Sequence, residues 1–135
     1  MPILLLLVFG IIEFGYMLNR DTIVNNASRD GARVGSLNGT YAEICTAVKG
    51  ELTQMGIPVP TACGTTLGPT NIIIDCKKVD GTACSATAAS YNGFALSGAT
   101  TIVNITYNHT LITPFISSVL GSSVALHQNT QMRVE

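Results

Sequence analysis

Cysteine and histidine are the residue types in this sequence that could support site chemistry. The chain has four cysteines and two histidines: Cys45, Cys63, Cys76, Cys84, His109 and His127. A zinc site needs four sulfur or nitrogen ligands in clustered spacing, and no two of these cysteines form a C-x-x-C pair. An even number of cysteines instead predicts two disulfides formed in an oxidising compartment. The alternative is four buried thiols in a cytosolic protein.

Four cysteines allow three disulfide pairings, and spacing alone does not decide among them. Our choice is Cys45–Cys63, which would fasten a loop to a helix, together with Cys76–Cys84, which would close a turn. Loops of this size contribute about 2–3 kcal/mol each when the unfolded chain is restricted by a disulfide. A small exported domain with a thin core benefits from that stabilisation.

The remaining polar residues do not suggest a catalytic site. His109 and His127 each lie on a predicted strand between polar neighbours, so we expect both side chains on the exposed face. Asp75 and Asp80 flank a lysine-containing turn, which favours solvated carboxylates over an acid–base pair. The net charge of −1 gives the chain no electrostatic reason to bind nucleic acid. We therefore expect a protein that is not an enzyme and that needs no cofactor or metal.

The first 18 residues, MPILLLLVFGIIEFGYML, are apolar apart from one charge at Glu13. A helix of this length spans about 27 Å, which is enough to cross a bilayer core. No Lys or Arg precedes the apolar run, so we expect a basic leader to be removed upstream of Met1 while the run itself stays in the mature protein. An ordinary signal peptide is the alternative, but no small-residue cleavage site follows Leu18.

The helical pattern continues past the apolar run as far as about Leu37. Apolar or small residues recur at three- and four-residue spacing, namely Ile23, Val24, Ala27, Gly31 and Val34. Polar residues such as Ser28 fall mostly on the remaining arc. Ala27, Gly31 and Gly35 form a strip of small residues that predicts close packing on a sheet. Helix glycines cost about 1 kcal/mol each relative to alanine, so a packing role is expected for them.

Residues 1–37 are thus predicted to be one long helix, and residues 38–135 a globular head. Thr40 and Glu43 have the spacing of a capping box. A helix and three strands follow, at residues 41–55, 71–76, 99–110 and 123–134. Residues 82–97 show no clear period. The predicted fold class is α+β, with the long helix packed on a small antiparallel sheet and with disulfides stabilising the head.

Glu13 is the unusual residue of the apolar run. An unpaired carboxylate in hydrocarbon is unfavourable by several kcal/mol, so it must be paired, protonated or in a wet environment. In a bundle of parallel helices, the positive α-amino group of a neighbouring chain is one available partner. A position at the lipid interface is the other reading, and the sequence leaves both open.

Three segments, in order, resemble the TadE-like pilin family: LLLLVFGIIEFGYML, NNASRDGARVGS and ITYNHTLITPFISSVLGSSVALHQNTQMRVE. Members of that family typically show an apolar run ending in FGIIEFG, an AAREGA-type helix and a C-terminal hairpin ending in MRVE. The resemblance covers both ends of the chain, whereas the cysteine-bearing middle is individual. Such pilins usually carry a glutamate five residues after the cleavage point, where this sequence has Leu5.

The resemblance implies a type IV-like pilin that is processed by a prepilin peptidase and inserted in the inner membrane. A Tad-type secretion machinery would then assemble it into an extracellular adhesive filament of identical copies. Because of Leu5, the resemblance implies one of two things: either the chain is cleaved at an unusual point and Glu13 takes the pairing role, or mature residues upstream of Met1 are missing. We favour the first. The expected assembly residues are Met1, Leu4, Leu5, Leu6, Val8, Ile11, Glu13 and Phe14. A membrane-anchored minor pilin or assembly factor is one alternative, and a soluble secreted binding domain with an uncleaved signal peptide is another.

Overall fold

The computed structural model describes residues 2–65, 68–112, 117–118 and 121–135. Within that part of the chain the elements are α1 (Pro2–Ser36), α2 (Tyr41–Gln54), β1 (Thr70–Lys77), α3 (Ala88–Phe94), β2 (Thr100–Thr110) and β3 (Ser123–Arg133). The strands form one antiparallel sheet in the order β1-β2-β3. The predicted α+β class, with a long apolar helix, a small antiparallel sheet and two disulfides, is confirmed.

Helix α1 lies along the sheet and is tied to it at several levels. The hydroxyl groups of Ser28 and Thr130 are hydrogen-bonded at 2.7 Å, and Gln128 Nε2 donates to Asp21 Oδ1 at 2.9 Å. At the far end, the Glu135 N–H donates to the Ser36 carbonyl at 2.9 Å. Ser28 is fully buried, so its expected place on the polar arc of the helix is wrong. Its hydroxyl partner on β3 explains how the burial is tolerated.

The capping box at the start of α2 is present as predicted. The Glu43 N–H donates to Thr40 Oγ1 at 3.3 Å, and the Thr40 N–H donates back to the Glu43 carboxylate at 2.7 Å. Hydrogen bonds from the Thr40 backbone and then from its side chain lower the pKa of Glu43. Gly56, at φ 69°, follows the helix in the left-handed region that favours glycine.

The side chains of the central strand β2 alternate between the two faces of the sheet, as in any pleated strand. One face carries Thr101, Val103, Ile105 and Tyr107, all of which are buried. On β3, Leu126 is buried and Val124 and Met132 are partly buried, and Val134 just after the strand is buried as well. The alternate residues His127, Asn129, Gln131 and Arg133 are exposed. The core therefore lies between this face of the sheet and the two longer helices.

Helix α3 was not predicted. Thr87 caps it by accepting a hydrogen bond from the Ser90 N–H, and Tyr91 is its buried residue. The Tyr91 hydroxyl is hydrogen-bonded to Thr101 Oγ1 at 2.7 Å, and its ring packs edge-on against Tyr41 at 6.1 Å between centroids. Burial raises the pKa of Tyr91, and this hydrogen bond opposes the shift. A seven-residue helix with one buried side chain is too short to show a helical period.

Candidate functional site

The first turns of α1 form an apolar surface that the head leaves uncovered. Every large apolar side chain from Ile3 to Phe14 is between 42% and 81% exposed. This helix is the one described element long and apolar enough to cross a membrane, by length and composition. Contiguous exposed apolar surface of this kind is rare on monomeric soluble proteins and marks an interaction surface.

Of the residues predicted to make assembly contacts, the apolar ones in the described chain all lie on this surface: Leu4, Leu5, Leu6, Val8, Ile11 and Phe14. Met1 lies outside the described residues. Five exposed side chains, which we call the apolar stripe, recur at alternating spacings of three and four: Leu4, Leu7, Ile11, Phe14 and Leu18. This spacing places them on one side of the helix. At 100° per residue, that side points away from Glu13.

Glu13 is the point at which the head first covers the helix. Its side chain is only 5% exposed, although its neighbours Ile12 and Phe14 are both more than half exposed. The Ile112 N–H, just after β2, donates to both carboxylate oxygens at 3.0 and 3.1 Å. His109 Nε2 lies 3.4 Å from Glu13 Oε1. Within this chain, therefore, the carboxylate is held by the backbone that follows β2.

His109 is 2% exposed, so its predicted position on the outer face of the sheet is wrong. It extends the buried alternation of β2 by one step past Tyr107, whose ring lies 6.2 Å away. The Tyr16 ring covers it from the helix at 5.4 Å. The other histidine, His127, is exposed as predicted, and its Nδ1 is hydrogen-bonded to Thr106 Oγ1 at 2.9 Å.

Arg20 joins the same region of α1 to the end of α2. Its guanidinium donates to the Met55 carbonyl at 2.8 Å and to the Tyr16 hydroxyl, and it lies 4.7 Å from the centre of the Tyr16 ring. Both helices and the end of β2 thus converge around Tyr16. This convergence makes the stretch from Glu13 to Arg20 the junction between the apolar surface and the head.

Farther along α1, the small residues allow close contact with the head. A Cβ at Gly35 would lie 2.7 Å from Thr101 Oγ1 of β2. A Cβ at Gly31 would instead collide with Val48 of α2 and would be 3.5 Å from Val103 of β2. Ala27 is fully buried. The strip therefore packs on α2 as well as on the sheet, which was not part of the prediction.

The structure contains the two disulfides chosen from the sequence. Cys45 of α2 is joined to Cys63 in the following loop, with Cα atoms 6.0 Å apart. Cys76 at the end of β1 is joined to Cys84, with Cα atoms 5.1 Å apart, and the Cys84 N–H donates to the Cys76 carbonyl. Among the described residues there is no group of three or more His, Cys, Asp or Glu that could hold a metal ion.

These features define a small disulfide-bonded head carried on a long helix whose first turns are apolar and uncovered. A family model described as TadE-like protein matches residues 1–33, which confirms the resemblance over the apolar run and most of α1. No curated protein matches the chain, and no solved structure matches it.

The family match and the apolar helix together fit a protein associated with Tad-type pili, located at the membrane or in the pilus. The matched family is a structural one and is not known for enzymatic activity.

Proposed function

We propose that this chain is a structural subunit of an extracellular Tad-type filament and that it polymerises through α1. The observation that carries the proposal is the uncovered apolar surface from Ile3 to Phe14, with exposed Leu18 one turn farther on, which continues directly into a well-packed head. While the helix is in the inner membrane, lipid tails can cover that surface. In a filament outside the membrane, only the helices of other copies can do so.

The free energy of association between helices can be derived from the exposed side chains of the apolar stripe. Complete burial of a Leu, Ile or Phe side chain contributes about 1.5–3 kcal/mol. The stripe residues are already about half buried by their own helix. Covering the rest should contribute about 1 kcal/mol per side chain, or about 5 kcal/mol for the stripe. Because each helix meets many neighbours in a bundle, contacts of this size suffice to hold a polymer together.

The direction of the helices fits an open filament. Copies exported through one membrane carry their apolar ends on the same side, so their α1 helices associate in parallel. Contacts between parallel copies are heterologous unless they close into a ring, and heterologous contacts that do not close generate helical filaments. In this arrangement the heads face solvent, and their disulfides suit an oxidising environment.

The experiment compares two substitutions at equally exposed positions, one within α1 and one immediately after its C-terminal end. Ile11 and Leu37 are each 64% exposed, but only Ile11 belongs to the apolar stripe. Ile11→Asn places an amide in the proposed helix–helix contact, where an unpaired polar group is unfavourable by about 1–3 kcal/mol. The yield of the chain in filaments sheared from the cell surface should then fall about tenfold or more, since 1.4 kcal/mol is a factor of ten.

Leu37→Asn is the matched control and should leave the sheared yield unchanged. Membrane fractions are measured in parallel, so that a failure of Ile11→Asn to insert is recognised. Equal sheared yields for the two variants would overturn the proposal. A wild-type chain that remains in the membrane fraction and never enters sheared filaments would also overturn it, in favour of a membrane-anchored assembly factor.

A further inference from the structure

The buried Glu13 carboxylate stands out because the helix around it is exposed. It accepts the Ile112 N–H with both oxygens and lies 3.4 Å from His109 Nε2, itself on a side chain that is 2% exposed. Burying a carboxylate is unfavourable unless hydrogen bonds or an opposite charge compensate for the lost water. The end of β2 supplies a compensating donor at this point and places an imidazole beside it.

His109 Nε2 lies beside this carboxylate without a hydrogen bond to it. This nitrogen is buried and has no hydrogen-bond partner among the described residues, although Glu13 Oε1 is 3.4 Å away. At this distance the orientation of the ring, rather than its separation from the carboxylate, is what keeps the contact from being a hydrogen bond. The rings of Tyr16 and Tyr107 pack around the imidazole, and Arg20 lies over the Tyr16 ring. The imidazole is therefore held next to Glu13 rather than free to turn toward solvent.

We propose that Glu13, His109 and the Ile112 backbone form an intrachain clasp that fixes the head against α1. The clasp holds the side of α1 opposite the apolar stripe, so it determines the direction in which the stripe faces relative to the head. His109 is then a positioning residue, acting through Glu13. Glu13 is engaged inside its own chain rather than with the α-amino group of a neighbour. The consequence for assembly rests on the proposed function, whereas the clasp itself does not.

The clasp is tested first on the isolated full chain in detergent micelles. Glu13→Met removes both acceptor oxygens but keeps the approximate length of the side chain, and its apolar thioether suits a buried position. Hydrogen exchange of the Ile112 amide should become at least tenfold faster, and the His109 Nε2 resonance in nitrogen NMR should shift. Asp30→Met is the control, because Asp30 is an exposed acid on the same helix. It should change neither signal.

An Ile112 amide that exchanges equally fast in the wild type and Glu13→Met would overturn the clasp. So would a His109 resonance that does not respond to Glu13→Met, since a carboxylate that merely fills space would leave that signal unchanged. If the variant fails to fold, the wild type decides: exchange of the Ile112 amide at the rate of an unstructured peptide overturns the proposal, and slower exchange by tenfold or more supports it.

Filament yield then separates the clasp from pairing between subunits. If the clasp orients the stripe, His109→Phe should reduce the sheared yield as Glu13→Met does, while His127→Phe should not, because His127 is exposed on the far face of the sheet. A loss of yield with Glu13→Met but not with His109→Phe would overturn the positioning role and favour pairing with a neighbour. If the wild type forms no filaments, the proposed function fails, and the exchange and NMR measurements still decide on the clasp.

Discussion

Replacing Gly35 by alanine should test how closely α1 packs on the sheet. The new Cβ would lie 2.7 Å from Thr101 Oγ1 and 2.9 Å from Thr101 Cβ. Thr101 is fully buried, and its hydroxyl is hydrogen-bonded to the Tyr91 hydroxyl at 2.7 Å. The Thr101 Cβ atom is fixed to the backbone of β2 and cannot rotate away from the new methyl group. The helix and the sheet must therefore separate to make room.

The size of the effect follows from three contributions. Overpacking a core position destabilises by about 1–3 kcal/mol. Weakening the buried Tyr91–Thr101 hydrogen bond adds about 1 kcal/mol or more. The better helix propensity of alanine offsets about 1 kcal/mol. We expect a net loss of about 1–3 kcal/mol in the free energy of unfolding, which lowers the melting temperature by roughly 3–15 °C for a chain of this size.

The assay is thermal unfolding of the full chain in detergent, followed by circular dichroism with the disulfides intact. Gly50→Ala is the matched control, because Gly50 lies in α2 and a Cβ there would meet nothing within 4 Å. This control should raise stability by about 0.5–1 kcal/mol, so the two identical substitutions should have opposite signs. A Gly35→Ala variant at least as stable as the wild type would refute the close packing described for α1.

Three further predictions concern the head. Replacing Cys76 and Cys84 by serine should lower the free energy of unfolding by about 2–3 kcal/mol, because the two cysteines are 8 positions apart in sequence and the unfolded chain without the disulfide gains the corresponding freedom. A denaturation midpoint unchanged from that of the oxidised wild type would contradict this. Thr40→Ala should destabilise α2 by about 1 kcal/mol through loss of the N-cap, as measured by urea unfolding. The lowered pKa of Glu43 means that its contribution is present above the ordinary pKa of a glutamate and is lost as the pH falls through the folded value. Glu43→Gln should therefore weaken the acid-dependent fall in stability, and an identical pH profile in wild type and variant would count against the hydrogen bonds at Thr40.

Local patterns in the sequence were enough to predict most of the fold. The Thr40–Glu43 spacing marked the start of α2 because a capping box depends only on residues three apart. The alternation of β2 and β3 marked their buried faces, since a pleated strand repeats every two residues. The same alternation could have found His109, which continues the buried series after Tyr107. Its polar neighbours Asn108 and Thr110 led instead to the prediction that it is exposed.

The junction at Glu13 could not be predicted in this way. Its environment is created by Ile112 and His109, which are about a hundred residues away in the chain. Sequence patterns show that such a carboxylate needs a partner, but not which distant backbone amide supplies it. Gly31 is a similar case, because its contact with Val48 depends on how α2 returns along α1.

The central claim is that the apolar start of α1 is retained in the assembled protein and covered there by other copies. The most direct measurement is N-terminal sequencing and peptide mass spectrometry of the chain recovered from sheared surface filaments. We predict that the recovered chain contains the whole segment from Ile3 to Leu18. A recovered chain that begins near residue 20 or later would contradict the claim, because the surface proposed to hold the filament together would then be missing from it.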